Sequence, residues 1–389
     1  MTRRCATGTA ALVAAIAVRV MIGQAHKPIT SPFTFNEDVF PIVRDRCGAC
    51  HVASGPAPMS LMTHQEAMPW GESIRMELMA GHMPPWQVDS PPARFRNVEA
   101  LTPRELDVLL TWASGGTPPG NPDKAPVPPP REDRWPLGEP DLVLPLPEVT
   151  IPADTQAEVR EFTLRLENST GRIRAVDLRP GTPSVVRGAR VTVAASPPPR
   201  DAVPIETTLA LWLPGDRPVP LDDGIGLRVP DGAELVVRLQ YRKTWQHERE
   251  AMTDRSTLGI YLARDARTDL RALRLPVPPA GGTSSVALDR DLLAVAIYPD
   301  PDLDSSGVRV IAVRPDDTRD ELIAFRPRAG WARRYWFAGR VPLPRGSRLE
   351  ITAARDDALL LPPGAVAPLT DARGGSPSIV VNVVAAGEP

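Results

Sequence analysis

Charge of one sign is not in excess in this chain: 45 Lys and Arg stand against 47 Asp and Glu, a net of −2. No overall field therefore draws it to nucleic acid or to an anionic membrane surface. A membrane-spanning run is missing too. The apolar N-terminal stretch from Ala10 to Val18 is broken at Arg19, short of the roughly 20 residues that cross a bilayer. Preceded by Thr2-Arg3-Arg4 and followed by Ile22-Gly23-Gln24-Ala25, it reads as a secretory signal over residues 1–25 rather than a retained anchor. The expected location is periplasmic or secreted, with no membrane span left after cleavage. Of three cysteines, Cys5 leaves with that signal, so Cys47 and Cys50 are the thiols of the mature chain. A disulfide framework is thereby excluded. Also lacking are a Gly-rich phosphate loop, a nucleophile elbow and a hydrolytic triad in any convincing strand-to-helix context.

What is present is length and proline. The 389 residues suffice for two or three domains. Proline at 47 residues beside 42% hydrophobic content suggests strands bounded by proline-rich turns more than disorder. Residues 33–116 have a helical pattern. Asn36 is placed to cap a first helix running towards Cys47, with Glu37 and Asp38 near its positive end. Thr63-His64-Gln65-Glu66 is a capping box opening a second helix that Pro69 should kink or delay and Gly81 should end. Thr102-Pro103-Arg104-Glu105 repeats the signal, and Gly115-Gly116 closes that helix.

Residues 117–140 hold Pro-Pro-Gly and Pro-Val-Pro-Pro-Pro with little periodicity, the composition of an extended tether holding two domains apart. Beyond it the period changes to that of strands, as in Glu158 to Leu166, Ala189 to Ala195, Glu234 to Tyr241, Val308 to Val313 and Arg348 to Ala353. The expected fold class is multidomain: a small all-α domain at 33–116, then all-β tandem sandwiches at 141–270 and 271–389. The proline and glycine of Asp265 to Gly282 are expected to join the two.

Cys47-Gly48-Ala49-Cys50-His51 has the spacing that lets two thiols add to the vinyl groups of one haem while the next residue reaches the iron. A zinc ribbon would need a second cysteine pair, and a thioredoxin-like pair a βαβ context. Haem c, one and covalent, is therefore expected on Cys47 and Cys50, with His51 as proximal ligand. The other ring nitrogen of His51 needs an acceptor to fix its tautomer, for which a carbonyl in the Gly55-Pro56-Ala57-Pro58 turn is expected. Met83, on a proline-stiffened loop after a helix end, is the expected ligand of the opposite face. His82, Met59 or an open position are its alternatives. Trp70 and Trp86 are placed to pack on the macrocycle or in an ordinary core. Asp300, Asp302 and Asp304 lack the glycine and terminal glutamate of an EF-hand and read as a solvated turn.

Phe40-Pro41-Ile42, the Cys47 to His51 motif, Ala57-Pro58-Met59-Ser60-Leu61, Pro69-Trp70 and Met83-Pro84-Pro85-Trp86 together resemble the cytochrome c domain fused to bacterial relatives of copper type II, ascorbate-dependent monooxygenases. Trp135 to Asp141, Gly224-Ile225-Gly226 and Asp254-Arg255-Ser256 resemble that family's β domain. The resemblance covers nearly the whole mature chain and implies a pair of jelly-roll-like sandwiches that in active members hold two copper ions. It also implies a His-His pair, a His-Tyr-His segment, a Pro-His-x-His-Leu segment and a later Met. Here Val185-Val186-Arg187-Gly188, Gln240-Tyr241-Arg242 and Pro299-Asp300-Pro301-Asp302-Leu303 stand in those places, no Met follows Met252, and His247 is the one histidine beyond the linker. Arg187 and Arg242 put fixed positive charge where a cation would sit. Copper is not expected, nor is copper monooxygenase activity. The expected function is periplasmic electron transfer through one haem, with a redox partner protein and the β domain used for docking or for a small-molecule ligand. A haem-based redox or gas sensor, or a monooxygenase-type oxidoreductase, is the alternative.

Overall fold

A computed structural model describes residues 30–96, 100–128, 134–166, 171–193, 203–230, 232–299, 303, 305, 307–328, 330–354 and 377–387. The expected signal and Asp300, Asp302 and Asp304 lie outside the described residues. No helix among the described residues is long and apolar enough to cross a membrane.

The helical unit comes first. Asn36 does not cap its first helix. A π-turn, Phe35–Val39, precedes α1 (Phe40–Arg46), and Asp38 accepts the Thr34 amide at 2.8 Å instead. Thr63 and Glu66 form the expected reciprocal box at α2 (His64–Ala67). Pro69 then tightens one turn to a 3₁₀ geometry before α3 (Gly71–Met79) begins. Gly81, at φ 66°, ends that stretch. Thr102 and Glu105 box the start of α4 (Pro103–Ser114), which carries Pro103 at its first position. Phe35, Val39, Phe40, Leu61, Leu109 and Trp112 close a small core among these helices.

The strands follow in two sets. The first set is β1 (Leu142–Pro145), β2 (Val149–Ile151), β3 (Ala157–Arg165), β4 (Gly171–Arg179), β5 (Val186–Val193), β6 (Thr208–Trp212), β7 (Ile225–Val229), β8 (Glu234–Arg242), β9 (Met252–Asp254), β10 (Thr257–Leu262) and β11 (Thr268–Asp269). The second is β12 (Arg271–Pro276), β13 (Thr283–Ala287), β14 (Leu292–Pro299), β15 (Val308–Val313), β16 (Arg319–Phe325), β17 (Tyr335–Leu343), β18 (Arg348–Ala353) and β19 (Ser378–Ala385). Sheets β1-β10-β4-β7-β11 and β3-β8-β5-β6 face each other across one core, and sheets β12-β19-β14-β17 and β13-β18-β15-β16 across another. With the short β2, β9 and β11 set aside, both sandwiches have one order. The first, eighth, third and sixth strands form one sheet and the second, seventh, fourth and fifth the other. That is the wrapping of an eight-stranded double Greek key.

The division between the sandwiches falls at 270/271 as expected, and two other expected boundaries move. The sandwiches meet at Leu270 without a connector, and Gly281-Gly282 instead turns β12 into β13. Nor do residues 117–140 hold two domains apart. Pro118 and Pro119 accept the amides of Phe35 and Asn36, and Trp112 Nε1 donates to Pro118, so this stretch starts as a wrap on the helical unit. It ends within the first sandwich, where Trp135 is buried under the Arg179 guanidinium at 4.3 Å. The largest departure is residues 86–96, which leave the helical unit as a strap on the second sandwich. Val88 and Phe95 enter that sandwich's core, forming bridges with Phe325 and Phe337. Ser90 Oγ accepts the Ala324 amide and donates to Glu321.

Candidate functional site

Cys47, Cys50 and His51 are brought together by one turn continuing α1. The Cys47 amide donates to Val43, and the Cys50 and His51 amides both donate to the Cys47 carbonyl. A Cβ at position 48 would collide with the Arg44 carbonyl, so only glycine lets the loop close against its helix. Burial, above all other causes, pushes the Cys47 thiol up to about 12. A thiol so placed is not the low-pKa nucleophile of a redox pair.

His51 is half-buried, and burial lowers its pKa, which favours the neutral ring. Its Nδ1 lies 3.2 Å from the Met59 carbonyl oxygen. A carbonyl can only accept, so Nδ1 carries the hydrogen and Nε2 keeps its lone pair for a metal. The acceptor is one residue beyond the expected turn. Ala57 and Leu61 amides tie that turn back to the Cys50 and His51 carbonyls, which presents Met59 rather than Pro58 to the ring. Paired thiols, a fixed tautomer and a bare Nε2 on one loop fit the attachment of haem c.

Met83 stands apart from this group. It lies beyond the end of α3 where the strap begins, is 37% exposed, and is not among the residues packed on the helical core, whereas Met59 is. Trp86 does not face the helical core either: its ring meets Tyr335 edge-on at 5.5 Å in the second sandwich. Trp70 packs on the helical core. His82 Nδ1 pairs with Glu77 at 3.0 Å, and His64 Nε2 donates to Thr117 at 2.8 Å.

The Cys47–His51 loop touches the first sandwich at the β6–β7 turn. Cys50 Sγ donates to the Pro214 carbonyl at 3.6 Å, and Gly215 is packed so closely on Ala49 that a Cβ there would strike the alanine methyl. Sequence reasoning missed this contact, because nothing in Pro214-Gly215-Asp216 marks a partner distant in the chain. Beside it opens a cleft of about 1190 Å³, walled by Ala49 and Pro56 of the loop, Val176 and Trp212 of the first sandwich, and Arg334 and Trp336 of the second. Arg334 is buried, with its guanidinium over Tyr298 at 4.8 Å and Trp336 at 5.4 Å.

The segments standing where the resemblance implies copper ligands are described in part. Val186 pairs with Tyr241, which brings the Val185–Gly188 and Gln240–Arg242 segments side by side. Tyr241 is buried and donates at 3.0 Å to Asp254, which also accepts from Ser256 and the Thr182 amide. His247 pairs with Glu250 at 3.1 Å. Among the described residues no three His, Cys, Asp or Glu cluster as a metal site.

No protein-family model matches the chain, and no curated protein matches it. Among solved structures it is similar to the major capsid protein P2 of bacteriophage PM2, at 13% identity over 61% of this chain and 97% of that one, with a TM-score of 0.28. The PBCV-1 virus capsid is similar at 10% identity over 62% and 95%, TM-score 0.24. A Paenibacillus xanthan lyase is similar at 8% over 69% and 28%, TM-score 0.18. TM-scores this low carry no argument about this chain.

Proposed function

We propose that this chain is an exported, monohaem electron-transfer protein: a cytochrome c domain on tandem jelly rolls that descend from a copper monooxygenase-like β domain and have lost its copper ligands. One observation carries the reading. His51, next to the paired thiols, has Nδ1 committed to the Met59 carbonyl and Nε2 left with its lone pair. Cys47 and Cys50 would hold the haem covalently, and His51 would ligate its iron. Met83 is the proposed sixth ligand. A haem so held supplies one-electron redox chemistry. The chain's own part is to fix the imidazole, exclude water from Cys47 and present the loop against the first sandwich. A redox protein is the proposed partner, with the cleft beside the loop as a place for a small molecule. The proposed compartment is the periplasm or the exterior.

A second reading has an observation of its own. Met83 is 37% exposed and outside the helical core, so an open sixth position, and with it sensing of a diatomic gas, is the alternative.

The test is the optical spectrum of the exported full chain produced with haem-attachment machinery. One haem per chain, lost in Cys47→Ala/Cys50→Ala, is the expected result. A low-spin ferric spectrum with the weak far-red band of a Met–Fe(III) bond, abolished by Met83→Ala, supports electron transfer. A high-spin haem that binds carbon monoxide moves the reading to sensing, and a chain that takes up no haem ends both.

A further inference from the structure

A single stretch of chain closes the cleft beside the Cys47–His51 loop: residues 213–224, which leave β6 and enter β7. Gly215 packs on Ala49 of the loop. Asp216 pairs with Arg333 of the second sandwich at 2.7 Å, and Asp222 takes Arg96 of the strap through two bonds, at 2.6 and 3.0 Å. The loop, the strap and the second sandwich are therefore all held to this stretch, and two of its acids are used in holding them.

The cleft that these contacts enclose is rich in arginine. Arg44, Arg46, Arg96 and Arg333 each pair with a carboxylate, and buried Arg334 has Glu206 at 3.7 Å. Arg174 and Arg217 line the same cleft and differ. Arg174 sets its guanidinium 5.5 Å from the Tyr261 ring, Arg217 is exposed, and among the described residues neither has an ion-pair partner. The backbone runs them side by side: the Arg174 carbonyl accepts the amide of Leu221, on the stretch that carries Arg217, at 2.8 Å. Of the acids lining the cleft, Asp45 and Asp216 hold arginines, while Glu66 accepts the Ser60 hydroxyl and the Thr63 amide at the start of α2. The rest of the wall includes Val176 and Leu211, with Trp212 partly buried at the end of β6 and Trp336 on β17. Positive charge in a concave site with low-dielectric walls attracts anions. Planar guanidinium groups take carboxylates in a two-pronged fashion, and indole faces take flat apolar bodies.

We propose that this cleft binds a ring-bearing organic acid, its carboxylate on Arg174 and Arg217 and its ring against Trp212. Of the reading above, this rests on the cleft as a place for a small molecule and does not need the haem.

The full exported chain is titrated calorimetrically at constant ionic strength with three probes: 2-naphthoate, its neutral amide, and acetate, which keeps the charge and lacks the ring. Naphthoate is expected to bind one per chain, at least about tenfold tighter than either of the others. Arg217→Gln, at an exposed side chain, and Arg174→Gln should each weaken naphthoate about tenfold and leave the amide unchanged. Arg249→Gln, at an exposed arginine outside the cleft, removes the same charge and should alter naphthoate by less than about twofold. Trp212→Leu, read beside its thermal midpoint, should weaken naphthoate and not acetate, and unaltered naphthoate binding there overturns the seat of the ring. Equal affinity for naphthoate and its amide, or naphthoate binding untouched by both cleft arginine variants, overturns the anion site. A chain that takes up no haem but binds naphthoate through Arg217 sinks the haem reading and keeps this site. A haem-loaded chain that binds no naphthoate keeps the haem reading and loses this site.

Discussion

The two sandwiches share a strand order and differ in what they offer the helical unit. The second receives the strap: Val88 and Phe95 inside its core, Phe95 stacked on Phe337 at 5.7 Å, and Trp86 edge-on to Tyr335. The first meets the Cys47–His51 loop through a tight turn at Gly215 and through the Pro214 carbonyl, which accepts from Cys50. Buried carboxylates divide the same way. Among the described residues Asp177, Glu206 and Asp254 are the buried acids, and all precede Leu270. One sandwich thus anchors the helical unit by apolar burial, while the other touches the loop that carries Cys50 and His51 at a backbone turn and holds the buried acids. Apolar anchoring and contact with the loop are separated on two copies of one architecture, so each is open to change without the other.

The strap offers the most forceful way to break this comparison. Phe95→Ala removes a ring 4% exposed and packed on Phe337, Tyr335 and Trp86. A buried aromatic truncated to alanine costs about 3–5 kcal/mol. Denaturant unfolding is expected to show that loss in the second sandwich, with the first changed little. A loss under about 1 kcal/mol would mean that the strap lies on a finished core instead of completing it.

Acidity sharpens the comparison from the other side. Burial, the largest cause, raises Asp177 to about 6 from 3.8, offset in part by the Leu178 amide and Arg179. A folded-state pKa above the unfolded one means the native state holds its proton more tightly. The stabilisation is therefore complete below pH 3.8 and is lost as pH rises through about 6. Between those limits the first sandwich should lose up to about 2–3 kcal/mol on going to neutral pH. Denaturation midpoints across that window give the slope, and Asp177→Asn should flatten it. An unaltered slope in the variant would assign the pH response elsewhere.

Local signals explain which parts of this molecule were legible in its sequence. The boxes at Thr63 and Thr102 act within four residues, and both helices start where those residues stand. Alternation gave the strands from Glu234 and Val308 because each sandwich buries one face of its sheets. The strap was hidden, since Trp86 and Phe95 flank eight residues that lie within a helical stretch of the sequence, while Val88 and Phe95 bridge to residues some 240 positions away. Asn36 falls inside the π-turn instead of before it, and Asp38, two residues on, reaches back to the Thr34 amide. At the candidate site, the motif places Cys47, Cys50 and His51 by adjacency alone. Arg187 is different: the resemblance marks its position, but its place in a bulge of β5 is set by the pairing with β8 and is not read from its neighbours in sequence.

The contact between loop and first sandwich is tested most finely at Gly215. Its φ of 87° disfavours any side chain, a strain of about 1–2 kcal/mol, and a Cβ there would also strike that of Ala49. Gly215→Ala is expected to weaken hydrogen-exchange protection at the Ala57 and Leu61 amides, which tie the loop of Cys50 and His51, while the strap stays protected. Ala49→Gly in the same chain removes the collision and leaves the backbone strain. The double variant should then regain the steric part of the loss and not the rest, a coupling that a cycle of the two substitutions measures. Strict additivity would mean that loop and turn yield past each other, and that the close approach of Gly215 to Ala49 carries no steric cost.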